Sequence, residues 1–294
     1  MNVYKFLIFG ALFFISYDDA LAMKLKSERW KRFESLFADS SDTKRAECLK
    51  NLLKWRDKKG NSLLHHAAKN GDIEFVEGFI GMGLPIDEGN AAGETSFDLA
   101  SEAGHGGVCE FLRANLDLLA FVSSGDFKGV QKALREGAVV DVRNIGGGTP
   151  LMRAVDRRGF ANIVQLLMSL GACVTSKNNN GFTPLLQAAY FGSEGIVGQL
   201  LVARDCRACL DGVDRNNRTS LWWAACNGRV GVVRQLLDAK ADTRIADDSG
   251  RTALDIAREN RKRLEDDDLA EVPAAAERVA RLTEIIALLE AQPA

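Results

Sequence analysis

The sequence is poor in the residues and motifs on which most enzymes depend. Only three of its 294 residues are histidine, the side chain that general acid–base catalysis recruits most often. It contains no His-Glu-x-x-His, Gly-x-Ser-x-Gly or Walker pattern. Its acidic residues are scattered and do not follow the spacing of a catalytic site. The net charge is −2 at pH 7, so the chain lacks the overall positive field that favours nucleic acid. We therefore expect no enzymatic activity, no cofactor, no metal and no nucleic-acid partner.

Long apolar runs are also scarce, and one stands at the N-terminus. Residues 6–15 are apolar, Lys5 precedes them, and Ala20-Leu21-Ala22 follows. The run is too short to cross a bilayer, which takes about 20 apolar residues. A positive start, a short apolar core and a small-x-small end are typical of a secretory signal peptide. We predict a signal peptide at residues 1–22, cleaved after Ala22, and a secreted or periplasmic chain without membrane insertion; a buried helix or an uncleaved anchor is the alternative.

The six cysteines leave several interpretations open. An even count in an exported protein suggests disulfides, and Cys206 and Cys209 stand closest together. They could form a local disulfide or remain free thiols. A redox pair would need its first cysteine at a helix N-terminus, and a zinc site would need two further ligands.

Four threonines mark an internal repeat. Thr149, Thr183, Thr219 and Thr252 stand 34, 36 and 33 residues apart. Thr183 and Thr219 are each followed by an apolar segment with an alanine pair, then by a glycine and a second segment with paired aliphatic residues. A period near 33 with two short amphipathic helices per unit predicts a helical repeat array.

These residues resemble the ankyrin repeat, whose signature is D-x-x-G-x-T-P-L-H-x-A-A-x-x-G, followed by a second helix and G-A-D. The resemblance runs from about Asp57 to the C-terminus. We expect Thr183 and Thr219 to cap helices, Pro184 to occupy a first helical position, and Gly192 to end a helix in a left-handed turn. The resemblance implies an all-α solenoid of helix-turn-helix units joined by short hairpin loops, with helical caps. Such units bury their apolar faces only by stacking.

The register divides the chain into five segments. They are a signal peptide (1–22), an N-terminal helical cap (23–56), repeats one and two (57–115), repeats three to seven (116–263), and a polar loop with a C-terminal capping helix (264–294). Repeat three begins near Leu116, only 21 residues after Thr95, which is about 12 residues short of the family period. We therefore expect a connecting hairpin to be absent near residues 113–116.

The resemblance implies that hairpin tips and first helices present one concave binding face. The family's exposed positions in repeats four to seven fall on Asp156, Arg157, Asn179, Asn180, Phe182, Tyr190, Phe191, Arg215, Asn216, Arg218, Trp223, Asn227, Asp248 and Arg251. Aromatic residues flanked by Arg and Asn are typical of interface hot spots. For Phe182, Tyr190, Phe191 and Trp223, packing between repeats is the alternative to exposure. For Trp222, in the place of the family's His, we expect packing.

These features predict a non-catalytic protein–protein interaction module, exported as a monomer, that binds a protein partner on the concave face of repeats four to seven. Two alternatives stay open. One is an accessory protein in redox or metal handling through Cys206 and Cys209. The other is a secreted effector that uses the same face on a host protein.

Overall fold

The computed structural model describes residues 54–156, 160–203, 209–266 and 273–292. Over these ranges the chain forms thirteen α-helices and no strand longer than an isolated bridge. The predicted signal peptide, most of the predicted N-terminal cap, Arg157 and Cys206 lie outside the described residues. The all-α repeat architecture predicted from the sequence is confirmed.

Most of the helices are short and come in pairs. In chain order they are α1 (Leu63–Lys69), α2 (Ile73–Gly81), α3 (Ser96–Glu102), α4 (Gly106–Ser124), α5 (Phe127–Arg135), α6 (Pro150–Val155), α7 (Ala161–Ser169), α8 (Pro184–Phe191), α9 (Glu194–Leu201), α10 (Ser220–Cys226), α11 (Val230–Asp238), α12 (Ala253–Asp266) and α13 (Pro273–Glu290). Two compact units contain them: one runs to residue 121 and includes 128–147, and the other comprises 122–127 and 148–294. None of the helices in the described ranges combines the length and the apolar character needed to cross a bilayer.

Threonine side chains start the first helix of several repeats. The hydroxyl of Thr183 accepts the Leu186 N–H at 3.2 Å, and that of Thr219 accepts the Trp222 N–H at 3.1 Å. Pro184 occupies the first turn of α8, where the missing N–H has no intrahelical acceptor to lose. Gly192 ends α8 with φ 78°. The predicted cap, proline and left-handed turn are therefore confirmed.

Alanine pairs let first helices of neighbouring repeats approach closely in the second unit. Helix α8 packs on α10, and α10 packs on α12. Ala188 and Ala189 on α8 have no exposed surface, and neither do Ala224 and Ala225 on α10. Trp222 is only 4% exposed, so the prediction that it packs inside the array is confirmed.

The first unit lacks one connecting hairpin. Helix α4 is 19 residues long and continues through residues 113–116, so no loop is present there, as the short spacing predicts. The hairpin of repeat four instead bonds to the segment before the hairpin of repeat two. The Ile86 N–H donates to the Arg143 carbonyl at 3.0 Å, and the Ile145 N–H donates to Asp87 Oδ1 at 2.6 Å.

A buried asparagine stabilises this continuous helix. Asn115 is fully buried. Its Nδ2 donates to the Phe111 carbonyl at 2.8 Å, and its Oδ1 accepts the Val139 N–H at 2.8 Å. Because both ends of the amide are bonded, the cost of burying a polar group is offset. Repeat spacing gives no indication of this residue's role.

Helix α13 closes the C-terminal end of the second unit by packing on α12 and α11. Leu282, Ile285, Ile286 and Leu289 are buried on one side of it. Near its C-terminal end, Arg258 Nη2 of α12 donates to Glu290 Oε1 at 2.6 Å.

The start of α10 yields a stability prediction. Ser220 occupies the position that Pro184 holds in α8, and its hydroxyl is buried without a hydrogen-bond partner among the described residues. Thr219 has φ −84° and ψ 170°, a conformation that a following proline allows. We expect Ser220→Pro to raise the free energy of unfolding by about 0.5–1 kcal/mol, measured by urea denaturation. Ser220→Ala separates loss of the hydroxyl from the backbone effect, and a less stable proline variant would contradict this account.

Candidate protein-binding surface

The hairpin tips of repeats five, six and seven are built in the same way. Each begins with a side chain whose Oδ1 accepts two backbone N–H groups, two and four residues further on. Asn178 accepts at 2.9 and 3.0 Å, Asp214 at 2.9 and 3.0 Å, and Asp247 at 2.9 and 2.9 Å. This closed ring fixes the turn, so each tip is a rigid platform for the side chains that follow.

Backbone hydrogen bonds join neighbouring tips into a row, which we call the tip row (residues 178–181, 214–217 and 247–250). The Arg215 N–H donates to the Asn180 carbonyl at 3.3 Å, and the Asp248 N–H donates to the Asn216 carbonyl at 3.1 Å. Gly181, at φ 81°, leaves room for this approach, because a Cβ there would lie 2.9 Å from the Arg215 nitrogen. The side chains of successive tips therefore stand in line.

The carboxylate of Asp214 connects the tip of repeat six to the helices behind it. Its Oδ2 accepts Arg218 Nε at 2.9 Å and Trp223 Nε1 at 3.1 Å, and its side chain has no exposed surface. Burial by itself raises the pKa of this carboxyl, but the hydrogen bonds from the Arg218 backbone and guanidinium and from the Asn216 N–H outweigh it. The net result is a lowered pKa, so Asp214 is ionised at neutral pH.

Five aromatic rings from repeats five and six form one cluster, which we call the aromatic cluster (Phe182, Tyr190, Phe191, Trp222 and Trp223). Ring centroids are separated by 5.5 Å for Phe182–Trp223, 5.1 Å for Tyr190–Trp223 and 5.0 Å for Tyr190–Phe191. These separations are within the range of favourable tilted and edge-to-face contacts. Tyr190 is 39% exposed, and Phe182, Phe191 and Trp223 are half-buried. The cluster therefore packs between repeats and also faces solvent.

Arg218 covers one side of the aromatic cluster. Its guanidinium carbon lies 4.2 Å from the Trp223 ring centroid and 5.3 Å from that of Trp222. This cation–π stacking acts together with the ion pair to Asp214 at 2.9 Å. Arg218 is consequently held in place by a carboxylate on one side and two indoles on the other.

The remaining predicted residues differ in their exposure to solvent and in their ion pairs. Asn179, Asn180, Arg215, Asn216 and Asp248 are exposed on the tip row. The guanidinium of Arg251 pairs with Asp247 at 2.9 Å and with Glu259 at 3.1 Å.

Two further predicted residues link repeats. Asn227 Nδ2 donates to the Tyr190 carbonyl at 3.4 Å, and Asp156 accepts a hydrogen bond from Gln187. Sequence reasoning missed Gln187 and also the central role of Asp214, although the family's aspartate at the start of each hairpin was a usable signal for the latter.

The cysteines considered for redox or metal chemistry are only partly described. Cys209 is 3% exposed, and its thiol donates to the Val174 carbonyl at 3.3 Å; its predicted partner Cys206 is outside the described ranges. No group of three or more His, Cys, Asp or Glu side chains suited to a metal ion occurs within the described part of the chain.

Comparison with known proteins identifies the repeat. A family model described as ankyrin repeats (3 copies) matches residues 118–211 and 199–266, which together make up just over half of the chain. The protein Vapyrin of Medicago truncatula is 38% identical over 65 residues, a stretch that covers 22% of this chain and 12% of Vapyrin. The chain therefore matches only a small part of that relative's length.

Because the pKa of Asp214 is lowered, the contribution of this residue to stability depends on pH. A carboxyl whose folded pKa lies below its ordinary value of 3.8 contributes stability that is present above that value and is lost as the pH falls through the folded pKa. We expect Asp214→Asn to lower the free energy of unfolding at pH 7 by about 1–3 kcal/mol. The deficit relative to the wild type should shrink below about pH 4, as measured by urea unfolding at several pH values. The matched control is Asp248→Asn, which neutralises an exposed aspartate on the tip of repeat seven. If the stability deficit of Asp214→Asn stayed constant with pH, the lowered pKa assigned to Asp214 would be contradicted.

Proposed function

Since the chain belongs to the ankyrin-repeat family, we propose that it is an exported interaction module that binds a protein partner on the concave face of repeats four to seven. Ankyrin repeats indicate a protein-interaction module, and proteins built from them are generally non-catalytic. We further propose that the chain acts as a monomer and does not bind nucleic acid.

The observation that carries the choice of face is the aromatic cluster beside the tip row. Trp, Tyr and Arg are the residues most enriched in interface hot spots, and here Trp223, Tyr190 and Arg218 lie in one contiguous patch. Tyr190 retains 39% of its surface, so a partner could still bury a substantial apolar area.

The patch is also pre-organised. Trp223 is fixed by its hydrogen bond to Asp214 and by ring contacts to Phe182 and Tyr190. Binding normally costs about 0.5–1.5 kcal/mol for each flexible side chain that becomes ordered. Rings that are already held in place avoid much of that cost, which favours this patch over the flexible charged side chains of the outer surface.

The binding face is tested by the triple variant Phe182→Ala/Tyr190→Ala/Trp223→Ala. We expect it to weaken binding of a captured partner by roughly 100-fold or more, because hot-spot truncations cost about 2 kcal/mol or more each and about 1.4 kcal/mol is tenfold. Affinity would be measured by calorimetry or surface plasmon resonance, with helical circular dichroism to verify folding.

The control for this test is Leu170→Ala/Val202→Ala. These residues are 51% and 84% exposed at the ends of second helices α7 and α9, so they report on a different surface of the same repeats. If the folded triple variant binds normally while the control binds weakly, the proposed face is wrong.

Export is tested with residues 1–22 fused to a reporter that is active only outside the cytoplasm. We expect an active reporter whose new N-terminus lies directly after Ala22. Replacing Leu7 and Leu12 by arginine interrupts the apolar run and should abolish export. A full-length reporter that stays inside the cell would refute this part of the proposal. The two destinations, outside the cell or inside a host cell as an effector, use the same binding face.

A further inference from the structure

The tip row carries an ordered pair of charges. Arg215 and Asp248 occupy the same position in successive tips, one residue after Asp214 and Asp247 respectively. Each backbone N–H bonds to the preceding tip, so the hydrogen-bonded row, and not chance proximity, sets the order of the two side chains. Both residues are exposed.

These two charges differ from the other charges of tips six and seven. Arg218 is paired with Asp214 at 2.9 Å, and Arg251 is paired with Asp247 at 2.9 Å. The side chains of Arg215 and Asp248, by contrast, form no hydrogen bond or ion pair with another described residue. A partner that follows the row therefore meets one uncompensated positive charge and then one uncompensated negative charge.

The neighbouring part of the surface is uncharged. Residues 178–191, which form the tip and first helix of repeat five, contain no Asp, Glu, Lys or Arg. They contribute Phe182 and Tyr190 to the aromatic cluster and the exposed amides of Asn179 and Asn180 to the tip row. Arg218, which stacks on Trp222 and Trp223, is already paired with Asp214 and would repel a partner cation. A partner carboxylate over the rings would lose hydration without gaining an unpaired opposite charge, so an apolar or aromatic side chain is favoured there.

The distance between tips restricts the partner's backbone. Packed helices lie about 8–10 Å apart, so successive tips stand at about that separation. An extended chain advances about 3.3 Å per residue and covers the distance in about three residues. An α-helix advances about 1.5 Å per residue and needs six or seven.

We propose that the occupant of this surface is an extended segment of a protein partner with a defined charge order. An acidic residue lies opposite Arg215, a basic residue about three positions away lies opposite Asp248, and an uncharged apolar or aromatic residue contacts the aromatic cluster. This inference rests on the proposed function and specifies what the partner presents. Complementary charges in such a position set specificity and register more than affinity.

The test is a selection of random peptides on the full chain, in parallel with the charge-swapped variant Arg215→Glu/Asp248→Lys. Peptides of roughly twelve residues are long enough to follow the three tips at about 3.3 Å per residue. We expect the wild type to enrich an acidic and a basic residue about three positions apart beside an apolar residue. The swapped variant should enrich the opposite order. Glu102→Lys/Lys128→Glu, which exchanges two exposed charges of the first unit, is the control and should select the wild-type order.

The effect of charge order on affinity is then measured with individual synthetic peptides. A peptide with reversed charges should bind the wild type roughly three- to tenfold more weakly at low salt, and the swapped variant should regain that loss. The difference should shrink as ionic strength increases. Circular dichroism verifies that both double variants fold.

The outcomes separate this inference from the proposed function. Selected peptides whose charge order does not follow the swap, or whose charges lie six or seven positions apart, overturn the inference while binding to the aromatic cluster stands. Selected peptides that bind Phe182→Ala/Tyr190→Ala/Trp223→Ala as well as the wild type overturn the proposed face itself, and the inference with it.

Discussion

The second unit of this protein depends on a buried carboxylate that is fully supplied with donors. A carboxylate removed from water is strongly destabilising unless hydrogen bonds and an opposite charge replace its hydration. Asp214 receives two backbone N–H groups, a guanidinium and an indole N–H. These donors come from the hairpin and from the following helix, so one side chain fixes the position of the tip relative to the aromatic cluster.

The neighbouring repeats modify the same arrangement. In repeat seven, Asp247 and Arg251 reproduce the ion pair, but α12 carries no tryptophan to stack on it. In repeat five, Asn178 closes the turn without a charge, and Phe182 stands where Arg218 stands in repeat six. Phe182 of this uncharged repeat lies 5.5 Å from Trp223, measured between ring centroids. The three tips therefore share one turn geometry and differ in the side chains that they present.

Repeat register predicted the helices, because Thr219, Gly192 and the alanine pairs have fixed tasks within the repeat. Register also indicated the absent hairpin from a spacing alone. It could not predict that Asp214 binds Trp223, or that Arg251 is divided between Asp247 and Glu259. Such contacts depend on side-chain conformation, which residue spacing does not specify. Asn115 was missed for the same reason, since its partner Val139 is far along the chain.

The uninterrupted helix α4 shows that a helical layer can exist without its own loop at the edge. Residues 142–147 form hydrogen bonds directly with residues 86 and 87, which precede Asn90. These bonds cross the position that the absent hairpin would otherwise occupy. The number of layers, which determines the shared core, is therefore independent of the number of loops, which determines the recognition area. An insertion of about 12 residues near Arg113, the number missing from the family period, could therefore add a loop without adding a helical layer.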